Sequence, residues 1–319
     1  MDGSIEFTMG LSEGVAWPWP IAVYLFFAGI SGGALTLALV LRFFKGQTEN
    51  TPFLKAASVI SLVTIALGML CLVLDLTNPL FFWRILVFYN LNSVMSIGVI
   101  ALLFYIPLVA VIALLALEEE IVNLAEKFKV LNYLLPIIEF LKRFRSPMEK
   151  ATLVLALSVC AYTGFLISAL IRFPLINTSV LPALFVASGL SAGGAATKMM
   201  AVKFFGEDLH SGEMKILHGA EWPIMFAEAL FIFMIAVSLM TGNAGGQMAF
   251  AAFHEGTWAT VFWLGVVGVG FITPLLLNFA TGKTFSHSAK AFYLSGFCAV
   301  SGMMCLRLFI LYAGQIYAI

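Results

Sequence analysis

The residues best suited to chemistry in this sequence are polar and ionisable side chains within or beside long apolar stretches. Charge is costly to bury in such stretches, so each of these residues is a functional candidate. One group lies at one end of the stretches and comprises Asp75, Arg84, Arg172 and the aromatic segment that begins at Trp17. A second group lies towards the opposite end and comprises Lys198, His218, Glu221 and Glu228. Carboxylates and a histidine in such positions indicate proton transfer.

Tyr162 is the most specific single candidate. It lies in the apolar run Ala161-Tyr-Thr-Gly-Phe-Leu-Ile-Ser-Ala169, where a phenol needs a hydrogen-bond partner. A backbone carbonyl of a neighbouring helix would satisfy it. The carbonyl oxygen of a bound quinone would serve equally well.

The other candidates also have structural interpretations. Trp17 and Trp19 are typical of interfacial anchors, and tryptophan belts are common in membrane proteins. Arg84 and Arg172 could extend to lipid headgroups. His218 and Glu221 could be ordinary loop residues, and Glu228 could form a structural pair with Lys198.

The sequence contains no motif for a redox-active metal centre. All four histidines fall in or beside the connections between apolar stretches, which argues against a bis-histidine haem. The four cysteines include no Cys-x-x-Cys pair, so we expect no iron–sulfur cluster. Any redox role must therefore use a lipid-soluble carrier.

Composition places these residues in a membrane protein. The 319 residues are 61% hydrophobic and only 11% charged, and the mean hydropathy is +1.02. The net charge of zero argues against a nucleic-acid binder. The acidic and polar N-terminus does not resemble a cleavable signal, so we expect the first apolar segment to remain in the bilayer.

Eight segments have the roughly 20 apolar residues that a membrane span needs. They are 21–41, 56–76, 93–117, 151–171, 180–202, 223–240, 257–279 and 291–313. Lysine and arginine accumulate in cytoplasmic loops, and 14 of the 17 lie in alternate connections, leaving Arg84, Arg172 and Arg307 for the other face. Both termini are therefore predicted to be outside, in the periplasm of a Gram-negative bacterium.

A repeat divides the chain into two halves. Gly29, Ser31 and Gly33 recur 160 positions later as Gly189, Ser191 and Gly193, which predicts small-residue packing faces. The predicted fold is all-α, with two parallel-repeat bundles of four helices. Residues 1–117 hold the tail and spans 1 to 3, 118–150 an amphipathic helix on the cytoplasmic surface ending near Pro147, 151–171 span 4, and 172–319 the second bundle.

Seven segments resemble the NrfD/PsrC family of quinone-reactive membrane subunits. They are residues 19–26, 29–33, 75–83, 92–98, 161–170, 188–193 and 306–315, and together they extend over nearly the whole chain. The resemblance implies eight helices in two bundles. It implies a role in oxidising menaquinol and passing electrons to a ferredoxin-like iron–sulfur subunit on the periplasmic face.

The same resemblance implies that a further partner carries out terminal catalysis. A molybdopterin subunit, as in polysulfide reductases, is favoured over a multihaem cytochrome, as in nitrite reduction. The quinone pocket is expected to involve Trp17, Asp75 and Tyr162, with Arg84 and Arg172 nearby. Lys198, His218, Glu221 and Glu228 are expected to form a proton path from the cytoplasm.

Two other classes remain open from the residues themselves. A proton-coupled transporter could use the same carboxylates, although transporters often carry inverted repeats rather than a parallel one. A purely structural anchor that binds no quinone is the other alternative.

Overall fold

The computed structural model describes residues 17–76, 79–279 and 288–316, and these form a helical assembly in which strands are absent. Eight long helices account for most of these residues. The first four are α1, Trp19–Lys45; α2, Pro52–Leu74; α3, Val94–Ala116; and α4, Arg145–Ser168. The last four are α5, Leu181–Phe204; α6, Gly212–Met240; α7, from Gly256 to Phe279; and α8, from Ala289 to Ala313.

Two of the long helices change their winding. The middle segment of α7, Val261–Ile272, is π-helical, and so is the last segment of α8, Phe309–Ala313. These segments lie against each other, since the Phe262 and Phe309 rings are 4.9 Å apart and the Gly270 and Gly302 backbones are in contact. Widened turns of this kind often occur at functional positions.

Seven of the eight long helices in the described residues are long and apolar enough to cross a membrane. The remaining one is α5, the fifth predicted span, which has spanning length but carries many glycine, alanine and serine residues and two lysines. Its burial is nevertheless deep, because it packs against α1, α2, α4, α6 and α8.

The predicted small-residue faces form the contact between α1 and α5. A Cβ atom on Gly33 would collide with the Gly189 carbonyl, and one on Gly193 would lie 2.5 Å from the Ala34 nitrogen. Glycine permits this approach because it has no side chain. The two glycine-containing segments, 29–33 and 189–193, therefore pack against each other.

Helices α1 to α4 and helices α5 to α8 differ in whether their contacts form a closed ring. In the first, α1 contacts α2 and α4, and α3 contacts α2 and α4, so the four helices form a ring. In the second, α5 contacts α6 and α8, and α8 contacts α7, but α6 and α7 make little contact with each other. The group formed by α5 to α8 is consequently more open between α6 and α7.

The predicted single amphipathic helix is wrong in detail. The segment between α3 and α4 forms three short helices, Glu118–Ala125, Lys129–Tyr133 and Leu135–Lys142. Lys142 joins two of them through Glu118 at 2.5 Å and Glu139 at 2.8 Å, and these contacts raise its pKa.

Two predicted helix starts are also too late. Helix α4 begins at Arg145, so Pro147 lies in its first turn, where a missing N–H costs little. Helix α6 begins at Gly212 and continues through Pro223, the residue predicted to open it. His218 and Glu221 are therefore helical residues rather than loop residues.

Ion pairs join neighbouring helices at the ends that carry most of the lysine and arginine residues. Arg42 of α1 contacts Glu149 of α4 at 3.1 Å, and Arg145 contacts the same carboxylate at 2.8 Å. Lys45 and Gln47 both reach Glu213 of α6, at 3.5 and 2.7 Å. Both halves are thus tied to the end of α1.

Candidate functional site

Tyr162 lies near the end of α4, six residues before Ser168, and its side chain is 9% exposed. Its ring lies flat against α3 at Gly98, where any Cβ atom would overlap it. Its hydroxyl donates to the Met95 carbonyl at 3.4 Å, which is long for an O–H···O bond. The ring is therefore firmly placed, while the hydroxyl is only weakly held.

Asp75 caps the end of α2 and is partly buried. Its Oδ1 atom is buried and has no hydrogen-bond partner among the described residues, and burial raises the pKa of this carboxyl. A buried carboxylate oxygen without a partner is costly in a folded protein. The next two positions of its motif, Thr77 and Asn78, lie outside the described residues.

Arg84 and Arg172 are both exposed. Arg84 lies in the short helical segment Pro79–Leu86, where its guanidinium stacks over Phe81 at 4.5 Å and Trp83 at 5.8 Å. Within the described residues, no hydrogen bond or ion pair joins either arginine to Asp75 or Tyr162.

Trp17 is partly buried against the main hydrophobic core, and its backbone is held by Gln315 at the end of α8. Pro18 is buried and precedes the first turn of α1. Further along α1, the Gly29 carbonyl oxygen lies 3.5 Å from Cys160 Sγ of α4, two residues before Tyr162. Helix α1 is thus a close neighbour of the part of α4 that carries this tyrosine.

The second group forms a connected cluster at the opposite ends of the helices. Lys198 of α5 makes an ion pair with Glu221 of α6, and the other oxygen of Glu221 contacts His218 Nδ1 at 2.9 Å. The ammonium group of Lys198 also lies 6.0 Å from the centre of the Phe292 ring of α8. Lys198 therefore pairs with Glu221 rather than with Glu228, the structural partner considered from sequence.

A cavity of about 80 Å³ adjoins this cluster. Besides the three ionisable residues, its walls are small or apolar side chains from α5, α6, α7 and α8. A site of this volume with several polar partners is large enough to hold water. The arrangement can therefore carry protons between titratable groups through water.

Glu228 lies deeper in α6, about two turns from Glu221, and is only 7% exposed. It is within electrostatic range of Arg307 of α8. Arg307 is fully buried, stacks 3.5 Å from the Phe185 ring centre, and donates to Ser188 Oγ at 2.8 Å. Its Nε and Nη1 atoms have no partner among the described residues.

Arg307 is the principal residue that sequence reasoning misplaces. The pattern of lysine and arginine groups it with the arginines of the outer connections, but it lies within α8 and makes contacts with α5. The signal is present in the sequence, because a charge inside an apolar run is itself a functional candidate.

A further buried polar contact has no counterpart among the sequence-based expectations. Tyr105 of α3 is hydrogen-bonded to Ser31 of α1 at 2.9 Å, and Ser31 donates to the Ser61 carbonyl of α2. This network joins α1, α2 and α3, and Ser61 Oγ also donates to the Ser31 carbonyl at 2.7 Å. Every member is satisfied, which is typical of structural polar groups.

Comparison with known proteins gives one family over nearly the full length. Residues 8–318 match the family described as "Polysulphide reductase, NrfD". The sequence is 40% identical over 307 residues to the C subunit of polysulfide reductase from Wolinella succinogenes, covering 95% of each protein. It is 36% identical to protein NrfD of Escherichia coli over 310 residues, covering 95% of this protein and 96% of that one. A NrfD homolog of Haemophilus influenzae is 36% identical over 311 residues and 95% of each protein.

Proposed function

The chain belongs to the NrfD family of polysulphide reductase membrane proteins, and we propose that it is the menaquinol-oxidising subunit of a respiratory oxidoreductase. The observation that carries this proposal is the unpartnered Oδ1 of Asp75, together with the weakly held hydroxyl of Tyr162. Both groups lie at the outer ends of α2 and α4 in the predicted topology. Asp75 Oδ1 has no hydrogen bond to give up, and the Tyr162 hydroxyl could exchange its long bond to Met95 for a ligand oxygen at little cost.

The residues fit a quinol by their chemistry. A bound menaquinol would supply two electrons and two protons. The Tyr162 hydroxyl can accept or donate a hydrogen bond, so it would bind and orient a quinol oxygen. Asp75 would accept a proton, because burial moves its pKa upward and makes it a stronger base than an ordinary aspartate. Trp17, Arg84 and Arg172 are proposed to border the same pocket.

Partner subunits are proposed from the relatives. Electrons would leave on the periplasmic side to a ferredoxin-like iron–sulfur subunit and then to a catalytic subunit. We favour a molybdopterin-type partner, since identity is 40% with the polysulfide reductase C subunit and 36% with the NrfD proteins. A multihaem nitrite reductase partner is the alternative.

The proposed topology has eight spans in the bacterial inner membrane, with both termini in the periplasm. It treats α5 as a span because its partners in the core are the other long helices. The contact between the repeated glycine faces supports the division into a first bundle that ends at 171 and a second at 172–319, with 118–150 on the cytoplasmic surface.

A proton path from the cytoplasm is the second part of the proposal. Lys198, His218 and Glu221 would take protons from the inner cavity, and Glu228 would carry them deeper. These protons would be translocated to the outer side in addition to the two that menaquinol releases on oxidation. A proton path of this kind favours electrogenic turnover. The openness between α6 and α7 supports water access to the path.

The proposal is tested on the purified complex by following oxidation of a soluble menaquinol analogue. Asp75→Asn keeps the size of the side chain but removes the proton acceptor, so we expect kcat to fall at least tenfold with the complex still assembled. Glu255→Gln, at an exposed glutamate, serves as the matched control. An assembled Asp75→Asn complex with the wild-type rate would remove Asp75 from the mechanism. Absence of quinone binding by the wild type, measured by fluorescence, would leave the structural anchor as the function.

A further inference from the structure

The two ends of the described chain are joined by a paired hydrogen bond. The backbone N–H of Trp17 donates to Gln315 Oε1 at 2.9 Å, and Gln315 Nε2 donates to the Trp17 carbonyl at 3.0 Å. A carboxamide carries a donor and an acceptor side by side, so it can match both polar groups of one residue. We call Trp17 and Pro18 the N-terminal strap.

The Gln315 side chain is itself held in place. Its Nε2 also donates to the Leu311 carbonyl at 3.0 Å, which satisfies one of the free carbonyls at the end of α8. The neighbouring Tyr312 ring stacks on Trp258 of α7, with centres 4.9 Å apart. The carboxamide is therefore presented to the strap from a fixed position.

We call the two hydrogen bonds between Gln315 and Trp17 the clamp. The clamp lies at the same end of the bundle as Tyr162. Gly314 contacts Ile176, which belongs to the connection that follows α4, so the end of α8 lies beside this connection. On the other side of the clamp, Pro18 leads directly into α1. That helix contacts α4 close to the site, since Cys160, two residues before Tyr162, lies 3.5 Å from the Gly29 carbonyl oxygen.

The position of Trp17 governs how the backbone enters α1. Pro18 has no N–H and a restricted φ, so the direction of the strap depends on residue 17 and on what holds it. The Trp17 ring is partly buried, and its own backbone hydrogen bonds are those to Gln315. Loss of the carboxamide would release the strap without removing any side chain of α1 or α4.

We propose that Gln315 is a positioning residue for the outer quinol site: its carboxamide holds Trp17 against the outer ends of α1 and α8 and so keeps the strap over the pocket. This inference rests on the proposed menaquinol oxidation. Gln315 touches no reacting atom, so it affects how well the quinol is bound more than how fast it reacts.

The first test compares Gln315→Leu with Gln247→Leu in the full-length complex. Gln247 is a matched control because it is an exposed glutamine in the connection between α6 and α7, bonded only locally to Gly242. Gln315→Leu is expected to speed amide hydrogen exchange at residue 17 at least tenfold. It should also raise KM for a menaquinol analogue about tenfold with kcat nearly unchanged. Gln247→Leu should change neither quantity.

The second test asks whether Gln315 acts through the backbone of residue 17. Trp17→Ala keeps the N–H that Gln315 accepts, whereas Trp17→Pro removes it. Gln315→Leu should therefore raise KM further in the Trp17→Ala background than in Trp17→Pro, where only the bond to the residue-17 carbonyl is left to lose. Equal effects in both backgrounds would overturn the proposal.

Other outcomes also decide between the two proposals. Unchanged exchange at residue 17 in Gln315→Leu would refute the clamp. Faster exchange with an unchanged KM would show that the strap is anchored but has no role at the site, and this too would overturn the inference. A wild-type complex that oxidises no quinol would refute the proposed function, whereas the exchange result would still report on the clamp.

Discussion

Replacing Tyr162 with phenylalanine tests whether its hydroxyl binds a ligand or only stabilises the fold. The hydroxyl is bonded to the Met95 carbonyl at 3.4 Å, beyond the usual O–H···O range, so its loss should cost the fold no more than about 0.5 kcal/mol. If it binds a quinol oxygen, losing that bond costs about 1.4–2.7 kcal/mol in the transition state. Oxidation of a menaquinol analogue should then slow by roughly 10- to 100-fold.

Tyr105→Phe is the matched control, since it removes the same atom from another buried tyrosine. Ser31 uses its proton for the Ser61 carbonyl, so the Tyr105 hydroxyl donates to Ser31 Oγ at 2.9 Å. Its loss leaves Ser31 short of one donor at a cost of about 1 kcal/mol. Thermal unfolding should therefore begin about 2–4 °C lower, with quinol oxidation unchanged.

The pair of variants is measured in one preparation, by thermal unfolding and by steady-state oxidation. The expected pattern is a slow but stable Tyr162→Phe and an active but less stable Tyr105→Phe. A Tyr162→Phe complex that loses stability and keeps its rate would refute the reasoning, because the hydroxyl would then be structural.

Three further predictions concern other parts of the protein. Because burial raises the pKa of Asp75 and the base must be deprotonated, kcat/KM should fall as pH drops through a value above the ordinary 3.8, and Asp75→Asn should abolish this limb of the pH profile. Glu228→Gln should abolish charge translocation in reconstituted vesicles while quinol oxidation continues; retained translocation would place the path elsewhere. Gly33→Ala should destabilise the complex by about 1–3 kcal/mol, since the Gly189 backbone cannot yield, whereas Gly219→Ala, with open space around it, should not; equal unfolding midpoints would contradict this.

Hydrophobic pattern predicts most of the fold because membrane helices must satisfy their own backbone groups. Each of the eight predicted segments overlaps a long helix in the described residues, and seven of these helices are apolar enough to span a membrane. The ends of the third and fifth helices differ from the prediction by only one or two positions. The larger errors occur where polar residues continue a helix beyond its apolar part. Helix α6 extends eleven residues before Pro223, and apolar length alone carries no signal for that extension.

Candidate residues are less completely predictable than the helices. The members of the inner cluster can be selected from sequence because they are ionisable groups near one apolar segment, but their pairing depends on the rotation of α5 against α6. Gln315 carries no charge, so its contact with a residue 298 positions away gives no signal in one sequence. Arg307 illustrates a different limit, since its distance from the end of α8 decides whether it reaches the headgroups or stays buried.

Helix geometry also defines how far the proposed proton path has to extend. Tyr162 lies six residues from the end of α4 and Lys198 six residues from the end of α5, so each is about 9 Å from its own face of the bundle. For helices of 24 residues, roughly 36 Å long, the two levels are then about 18 Å apart. Glu228 lies about 10 Å beyond Glu221 along α6, so it covers roughly half of this separation.

Arg307 lies within the remaining part of this 18 Å separation, but it cannot itself carry protons. It lies six residues before the end of α8, at about the level of Tyr162, and interacts with Glu228 below it and with Ser188 of α5. An arginine stays protonated in proteins, so it can orient water and stabilise a carboxylate but cannot release a proton in turnover. Protons that reach Glu228 would therefore have to move on through water beside Arg307. They would also have to cross from α6 and α8 to α2 and α4 before they could reach the level of Asp75 and Tyr162.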